Sequence, residues 1–397
     1  MNKIFLLILT LCISYTLFSQ TWVKLSDFPS TERDDGLKFS IANKVYCGSG
    51  LQVGWTCAND FYAFDLVSET WSSIASMPTT ASRQYGVGFS LYGKGYVFGG
   101  INDSGVYLND LLEYDPITNT WLQKASLPAL GRAGAVAFVI NNIVYIVGGR
   151  TITNNAIFET WKYNVLTDSW TQMSNLPISG IWRGVSFENN NLGYVGLGRN
   201  NLDQNNKHFF EYNPITNNWI QVAGYSHAGR AYTGYSQIGN LAFLFGGADS
   251  LGMIDNAFER IDLTDFSTQM LSPFASIPRK GCIAFTGNNS FYITTGVSTT
   301  ARFKETWKAS GIVGLKGLTE ENNELKIYPN PATNELHIIS KRDDISTIKV
   351  ITMLGEELLS FTEGFENMDV SELNKGNYIV VVKLKSNKNT YGKLIIE

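Results

Sequence analysis

Four tryptophans close a segment that recurs through the chain at an almost constant interval. The segment reads DFYAFDLVSETW at 60–71, DLLEYDPITNTW at 110–121, ETWKYNVLTDSW at 159–170 and FFEYNPITNNW at 209–219. Its closing residues, Trp71, Trp121, Trp170 and Trp219, are 50, 49 and 49 residues apart. A period of this length is typical of architectures that repeat one supersecondary unit, so it constrains the fold more than any other feature.

Each unit contains four short runs. In the second unit these are YGVGFSLY, KGYVFGG, DLLEYDP and TWLQKASLP, and in the third AGAVAFVIN, IVYIVGG, ETWKYNV and SWTQMSNLP. The runs are rich in β-branched and aromatic residues and are bounded by Gly, Asn, Asp or Pro, which is the pattern of strands between turns. The repeat therefore predicts a four-stranded antiparallel sheet in each unit.

Two sets of repeated residues are interpreted as structural. Glycine pairs end the second strand, where the chain needs a positive φ or a close backbone approach; they are Gly99, Gly100, Gly148, Gly149, Gly246 and Gly247. The tryptophans open the fourth strand and are predicted to fill the gap between neighbouring sheets. Truncation of one of these rings to alanine should then cost about 3–5 kcal/mol.

The order of these signals resembles the kelch repeat. A diglycine is followed by a Tyr-Asp-like pair, Tyr114-Asp115 or Tyr212-Asn213, and then by the tryptophan. The resemblance extends over roughly 22–310 and implies that each unit is one blade of a β-propeller. Some units depart from the pattern, with CGSG, GLG or TTG in place of the diglycine and Met270 near an expected tryptophan.

The number of units predicts how the ring closes. Five units are complete, and a sixth, KGCIAFTG, SFYITTG and ETWKAS, stops after three strands. The segment TWVKLSDFP at 21–29 matches TWLQKASLP at 120–128. We therefore expect the strand of Trp22 to complete the sixth sheet beside 305–310, which leaves no free sheet edge in the ring. The prediction is an all-β, six-bladed kelch-type β-propeller over 20–311.

The amino terminus is predicted to be a secretory signal peptide over 1–19. It has Lys3 in a short first region, an apolar run from Ile4 to Leu11, and Ser19 near a plausible cleavage point. A lipoprotein signal at Cys12 is the less favoured alternative, because Leu11 stands where a small residue is expected. No second apolar run approaches 20 residues, so no transmembrane span is predicted in the processed chain.

The repeat ends before a linker, 312–324, and a strand-rich segment, 325–397, that is predicted to fold as a small Ig-like β-sandwich. This segment is similar to the C-terminal sorting domain of the type IX secretion system of Bacteroidetes. The matching stretches are YPNPATNEL (328–336), VITMLGEEL (350–358), DVSELNKGNYIVVV (369–382) and the terminal GKLIIE. The motif residues are Tyr328, Pro329, Asn330, Pro331, Gly355, Gly376 and Tyr378.

The resemblance of the tail implies that the type IX secretion machinery is a partner of the chain. It also implies passage across the outer membrane and removal of the tail, which leaves the protein secreted or attached to the outer cell surface. An ordinary accessory sandwich is the alternative interpretation of the same strands.

Composition excludes several classes of function. A formal charge of −4 gives no electrostatic basis for nucleic-acid binding. Cys47 and Cys57 are close enough to form a disulfide, and two separate buried thiols are an equal alternative; Cys282 is the odd thiol. Only three histidines are present, at 208, 227 and 337, so a catalytic triad, a copper site or a zinc site is not expected. We predict no metal and no cofactor.

One repeated polar position stands out. An arginine precedes the first strand of every unit, and the six are Arg33, Arg83, Arg132, Arg183, Arg230 and Arg279, with spacings of 50, 49, 51, 47 and 49. Equal phase in a closed ring predicts six guanidiniums at one depth around the central channel. Either each is compensated inside the protein by carbonyls and carboxylates, or a few form an anionic-ligand site at the channel mouth with Tyr85, Trp182 and Tyr232.

Two classes of function follow from these features. The favoured one is a surface-displayed module that binds a glycan or a protein through loops on a rigid scaffold. The alternative is a carbohydrate-active enzyme, because the chain resembles six-bladed kelch sialic acid mutarotases in blade number. An anomerase needs only acid–base groups at a sugar hydroxyl, and candidate carboxylates are Asp34, Asp35, Glu188 and Glu211.

Overall fold

A computed structural model describes residues 20–153, 155–225, 227–313, 325–340, 345–352, 357–365, 367–385 and 389–397. The chain divides into one compact unit that ends at Val313 and a second that begins at Gly314. The predicted signal peptide, most of the predicted linker and Gly355 lie outside the described residues.

The first unit contains six four-stranded antiparallel sheets. Blade 1 has Leu37–Ile41, Lys44–Gly48, Phe61–Asp65 and Thr70–Ser73; blade 2 has Val87–Leu91, Lys94–Ile101, Tyr107–Asp115 and Thr120–Lys124; blade 3 has Val136–Ile140, Ile143–Val147, Thr160–Asn164 and Ser169–Met173. Blade 4 has Val185–Asn189, Leu192–Gly196, His208–Asn213 and Asn218–Gly224; blade 5 has Gly234–Ile238, Leu241–Phe245, Phe258–Asp262 and Thr268–Met270; blade 6 has Ile283–Gly287, Ser290–Thr294, Thr306–Ser310 and Thr21–Lys24. Short elements add Arg33–Asp34 paired with Leu51–Gln52, and a 3-10 helix at Thr79–Ala81.

The first strands of the blades form the inner wall of the ring. Each contacts the first strand of the next blade, and that of blade 6 contacts that of blade 1. Six apolar clusters fill the gaps between neighbouring blades, one at each junction, including the junction of blades 6 and 1. The molecule is therefore a six-bladed β-propeller whose hydrophobic core is divided equally among its blade interfaces.

The amino-terminal strand lies in the sixth sheet. Thr21–Lys24 runs antiparallel to Thr306–Ser310, with Trp22 opposite Ala309. The indole of Trp22 packs among four phenylalanine rings of blades 5 and 6, with centroid distances between 5.0 and 6.5 Å. Both backbone pairing and aromatic packing therefore hold the two ends of the propeller segment together.

The repeated tryptophans link one blade to the next. The indole N–H groups of Trp121, Trp170 and Trp219 donate to backbone carbonyls of the preceding blade at 2.8, 2.8 and 2.9 Å. Trp71 packs against Phe28 and Phe64, and its N–H has no partner among the described residues. These rings lie between sheets, as the repeat predicts.

The diglycines adopt the backbone expected of them. Gly99 and Gly100 have φ values of 59° and 108°. A Cβ on Gly99 would lie 2.7 Å from the carbonyl oxygen of Arg132, so glycine is required there by contact as well as by conformation. In blade 4 the same turn is made by Leu197 and Gly198, at φ 56° and 73°.

The second unit is a two-sheet β-sandwich. One sheet contains Leu325–Tyr328, Glu335–Ser340 and Met368–Asp369; the other contains, in spatial order, Glu357–Phe361, Ile345–Thr352, Gly376–Leu384 and Asn389–Ile396. Its core is made by buried side chains of both sheets, among them Leu336, Ile348, Val350, Val380 and Leu394.

The two ends of this tail meet in space. The Asn330 side-chain oxygen accepts a hydrogen bond from the Ile395 N–H at 2.9 Å. The Ala332 N–H donates to Ile395 O at 2.8 Å, and the Glu397 N–H donates to Ala332 O at 3.0 Å. The YPNPA segment therefore fixes the last residues of the final strand.

Cys47, Cys57 and Cys282 are free thiols, so of the two alternatives for Cys47 and Cys57 the structure has separate buried thiols. Among the described residues, no helix is long and apolar enough to cross a membrane.

Candidate functional site

A closed belt of six residues surrounds one mouth of the central channel. Its members precede the first strands of the blades at regular spacing and all have φ between 54° and 67°; they are Asp35, Tyr85, Gly134, Arg183, Tyr232 and Gly281. Each backbone N–H donates to the carbonyl of the belt residue in the preceding blade, at 2.6 to 3.4 Å, and the Asp35 N–H closes the circle on Gly281 O. The backbone of the mouth is therefore fixed by hydrogen bonds between all six blades.

The belt side chains line a cavity of about 140 Å³ that extends into the channel. Deeper lining residues include Lys38, Tyr235 and Cys282. The two glycines of the belt leave room for the larger side chains, since a Cβ on Gly134 would lie 3.0 Å from Cγ of Arg183. The result is a concave pocket with a few convergent polar groups, the usual form of a small-ligand site.

Arg183 is the central side chain of this cavity. Its guanidinium carbon lies 3.5 Å from the ring centroid of Tyr85 and 3.6 Å from that of Tyr232, so the two rings hold it by cation–π contact. Trp182 packs behind it at 4.5 Å. Its Nε and Nη1 are buried and have no hydrogen-bond partner among the described residues. A buried guanidinium with vacant donors attracts an anion that can accept from them.

Two more cations lie against the ring of Tyr232. Lys280 Nζ is 4.7 Å and the Arg199 guanidinium carbon 5.4 Å from the centroid of Tyr232. Like charges held against one ring repel each other, and the repulsion is stronger where water is excluded. Burial lowers the pKa of Lys280, which is the direction that a desolvated ammonium beside other cations takes.

The two carboxylates of the mouth offset these charges only in part. Asp34 is already paired with Arg302, with 2.6 Å between Nε and Oδ1. Burial raises the pKa of Asp35 to about 8, against the opposing effect of the Arg183 charge. Asp35 is therefore largely protonated at neutral pH and leaves the positive potential uncancelled.

Lys38 forms the floor of the cavity. It extends from the first strand of blade 1 across the channel, where its ammonium donates to Tyr235 O at 2.7 Å and to Ala284 O. Burial lowers the pKa of Lys38 to about 8. Carbonyls of blades 5 and 6 thus occupy two of the three N–H donors of this ammonium.

The structure places five of the six predicted arginines outside the cavity. Each of the five is buried and forms an ion pair with a carboxylate at or just before the third strand of its own blade. The pairs are Arg33 with Asp60, Arg83 with Asp110, Arg132 with Glu159, Arg230 with Glu259 and Arg279 with Glu305. Several also donate to backbone carbonyls, as Arg83 does to Gly99 O at 3.0 Å. The expectation of six equivalent guanidiniums around the channel is thus corrected, since these five are compensated inside the blades.

Arg183 differs because it is not in phase with the others. The position equivalent to Arg132 in blade 4 is Ile181, which is 1% exposed, and the position equivalent to Glu159 is His208. Blade 4 thus lacks both members of the structural ion pair, and its arginine lies two residues later, in the belt. The signal was present in the spacings of 51 and 47 on either side of Arg183, which depart from 49 by two residues in opposite directions.

The structure brings some of the other predicted residues to the cavity and places others elsewhere. Tyr85 and Tyr232 are brought together with Arg183 in the cavity, and Trp182 lies beside them. Of the candidate carboxylates only Asp35 lines the cavity, whereas Glu211 accepts from the Tyr194 hydroxyl within blade 4. Sequence reasoning missed Lys38, Lys280 and Arg199, because each depends on pairing between blades that no single repeat displays. Among the described residues, no cluster of His, Cys, Asp and Glu is arranged to hold a metal.

Comparisons with known proteins agree with this architecture. Residues 13–183 match the model of the KLHDC2/KLHL20/DRC7 Kelch-repeats domain, and residues 326–397 match that of the secretion system C-terminal sorting domain. The solved structure titled "Structure of YjhT" is similar, with a TM-score of 0.62 and 19% sequence identity over 72% of this chain and 95% of that one. No curated protein matches the chain in sequence.

The sorting domain indicates export to the cell surface or secretion, through interaction with the type IX secretion machinery. The family models, the six sheets and the two-sheet tail point to the same assignment. The chain is a kelch-repeat β-propeller protein that carries a type IX secretion C-terminal sorting domain.

Proposed function

We propose that the exported propeller is a binding module whose channel mouth takes an anionic ligand, an acidic carbohydrate, anchored by Arg183. The observation that carries the proposal is the vacancy of two buried donors, Nε and Nη1, on a guanidinium held between Tyr85 and Tyr232. A carboxylate, sulfate or phosphate group would accept charge-assisted hydrogen bonds from such a guanidinium. The protonated Asp35 beside it is a further donor.

Carbohydrate is supported by the composition of the mouth. Tyr85, Trp182 and Tyr232 supply flat apolar surface around the guanidinium, and the surrounding backbone belt is rigid. Rigid aromatic surface beside a few fixed polar groups is the arrangement that orders a small polar ring at low entropic cost.

A protein ligand is supported by the loops between the second and third strands. Five of these six loops carry large apolar side chains that are more than half exposed, among them Trp55, Val106, Ile152, Leu202 and Leu251. Exposed apolar side chains grouped at one face are typical of contact surfaces for macromolecules. The loops rise on the same face as the belt, because each pairs with the segment that leads into it.

The enzyme alternative is supported by Asp35. A carboxyl group whose pKa is raised to about 8 exchanges protons near neutral pH, and it lies in the same cavity as Arg183 and Tyr85. Anomer exchange of a sugar needs a group of this kind at the anomeric hydroxyl. In that case the same site would bind the acidic sugar and interconvert its anomers.

Proton NMR distinguishes these functions. Saturation transfer and anomer exchange would be recorded together for galactose, galacturonate and N-acetylneuraminate, with wild type and Arg183→Met. We expect transfer to an acidic sugar, loss of that transfer in Arg183→Met, and none to galactose. Faster exchange that disappears in Asp35→Asn would establish the enzyme. Absence of transfer to every acidic sugar would overturn the carbohydrate proposal and leave the protein ligand.

A further inference from the structure

The cations at the mouth outnumber the negative charges available to balance them. Arg183, Lys280 and Arg199 all lie within 5.4 Å of the centroid of the Tyr232 ring. Asp34 is engaged by Arg302, and Asp35 is the remaining carboxyl in the cavity. The protein as a whole carries a formal charge of −4, so this local excess of positive charge is opposite in sign to that of the molecule.

We propose that the group bound at this mouth is a dianionic tetrahedral oxyanion, whose organic form is a phosphate monoester. The proposal rests on the anion site described under the proposed function and specifies the charge of its ligand. A carboxylate or a sulfate ester has one negative charge and would offset one of the three cations. A phosphate monoester has two charges at neutral pH and three terminal oxygens, which suit donors that converge from different blades.

The donors converge from two different blades. Arg183 leads into blade 4, and its buried Nε and Nη1 have no hydrogen-bond partner among the described residues. Lys280 leads into blade 6, and its ammonium lies 4.7 Å from the centroid of the Tyr232 ring. Arg199 comes from the loop of blade 4 that follows its second strand, and it donates through Nε to Asn205 at 3.3 Å and through Nη2 to Asp249 O at 3.5 Å. All three cations thus lie against one ring, that of Tyr232, which lines the cavity.

The affinity of this site for a dianion should depend on pH. Below about pH 6 a phosphate monoester takes up its second proton and becomes a monoanion, so its advantage is lost. Above about pH 8 Asp35 ionises and opposes an anion. The groups that face Asp35 are Arg183, Asp34, Tyr85, Lys280 and Cys282. Affinity for the dianion should therefore be highest between these limits.

The test uses a pair of ligands that differ in charge and share a shape. Galactose 6-phosphate and galactose 6-sulfate would be titrated calorimetrically into the full chain at constant ionic strength and pH 7.2, with inorganic phosphate and acetate as fragment probes. We expect the phosphate forms to bind at least about tenfold more tightly than the sulfate ester or acetate, as expected for one more unit charge against uncancelled cations. At pH 5 the two sugar esters should bind alike.

Two variants distinguish the preference for a dianion from the binding of anions in general. In Lys280→Met the preference for phosphate should fall to about threefold or less, while monoanions still bind. Arg183→Met should remove binding of all the anions. Equal affinity for phosphate and sulfate esters in wild type would overturn the dianion proposal and leave the anion site intact. No binding of any anion, inorganic phosphate included, would overturn both.

Discussion

Ile181 occupies in blade 4 the position that Arg132 occupies in blade 3, and Arg183 lies two residues beyond it in the belt around the channel. In blade 3 the guanidinium of Arg132 is 2.8 Å from the carboxylate of Glu159. Among the described residues blade 4 has no such pair; its Arg183 lines the cavity instead, and the buried Nε and Nη1 of that residue have no hydrogen-bond partner. The structural ion pair is thus absent from blade 4, and its arginine lies at the cavity.

The same substitution should have opposite effects at these two kinds of position. Arg83→Met leaves Asp110 without its partner and is expected to lower the free energy of unfolding by about 3 kcal/mol. Arg183→Met removes an uncompensated buried cation, so stability should be unchanged or higher. Urea denaturation of both variants measures this difference. A loss of stability in Arg183→Met similar to that in Arg83→Met would show that Arg183 is structural.

Restoring the ion pair in blade 4 tests the assignment of Ile181 and His208. Ile181→Arg alone buries a cation without a carboxylate and should cost about 3 kcal/mol. His208→Asp in the same chain supplies the carboxylate at the position of Glu159, and we expect at least about 1 kcal/mol of coupling between the two changes. A double-mutant cycle by denaturant unfolding gives the coupling. Additive effects of the two substitutions would contradict the equivalence.

Most of the fold could be predicted from the sequence because the same pattern of short strands and turns recurs in all six units. Strand boundaries and the turn at Gly99 and Gly100 follow from patterns within one unit, and the closing strand of Trp22 follows from its match to the fourth strand of another unit. The site could be predicted only in part. The sequence pointed to Arg183, Tyr85 and Tyr232 as candidates. It wrongly treated Arg183 as equivalent to the other five arginines, because its spacing from them is close to the repeat length.

The closing strand is tested by a tryptophan pair. Trp22→Ala removes an indole that packs among four phenylalanines and is expected to lower the free energy of unfolding by about 3 kcal/mol. Trp55→Ala is the matched control, since its ring is 75% exposed and its loss should cost less than about 0.5 kcal/mol. Thermal unfolding compares the two. Equal midpoints for both variants would show that the strand of Trp22 contributes little.

The protonation of Asp35 gives stability a pH dependence of known sign. Because burial raises its pKa from 3.8 to about 8, the folded protein holds a proton that the unfolded chain releases between those values. The contribution of Asp35 to stability therefore falls as pH rises across this window and is constant above it. Lys38, whose pKa is lowered to about 8, changes its contribution only above that value.

Asp35→Asn removes this dependence, since an amide does not titrate. Thermal midpoints of wild type and variant would be measured from pH 5 to pH 8, where the other groups of the protein contribute equally to both. We expect the variant to gain stability relative to wild type as the pH rises. A difference between the two midpoints that stays constant across the range would mean that Asp35 keeps its ordinary pKa.

The contact between Asn330 and Ile395 links the two ends of the sorting domain. Asn330→Ala removes the acceptor of the Ile395 N–H and should weaken the hold on the last strand by about 1 kcal/mol. If the machinery recognises that strand in place, the exported fraction of the protein should fall, as immunoblots of cells and medium would show. Glu357→Gln, which breaks an exposed ion pair with Lys349, is the control and should leave export unchanged. Unaltered export of Asn330→Ala would separate this contact from recognition.

The belt of six hydrogen bonds allows the side chains at the mouth to change during evolution while the backbone stays the same. Its pairing uses backbone atoms alone, so glycine, tyrosine, arginine and aspartate occupy equivalent positions with the same backbone conformation. Selection can therefore exchange the larger side chains of the belt without rebuilding the backbone that presents them. Gly134 and Gly281 leave the space that those side chains occupy, so a library limited to the other four codons would sample the recognition repertoire of the ring.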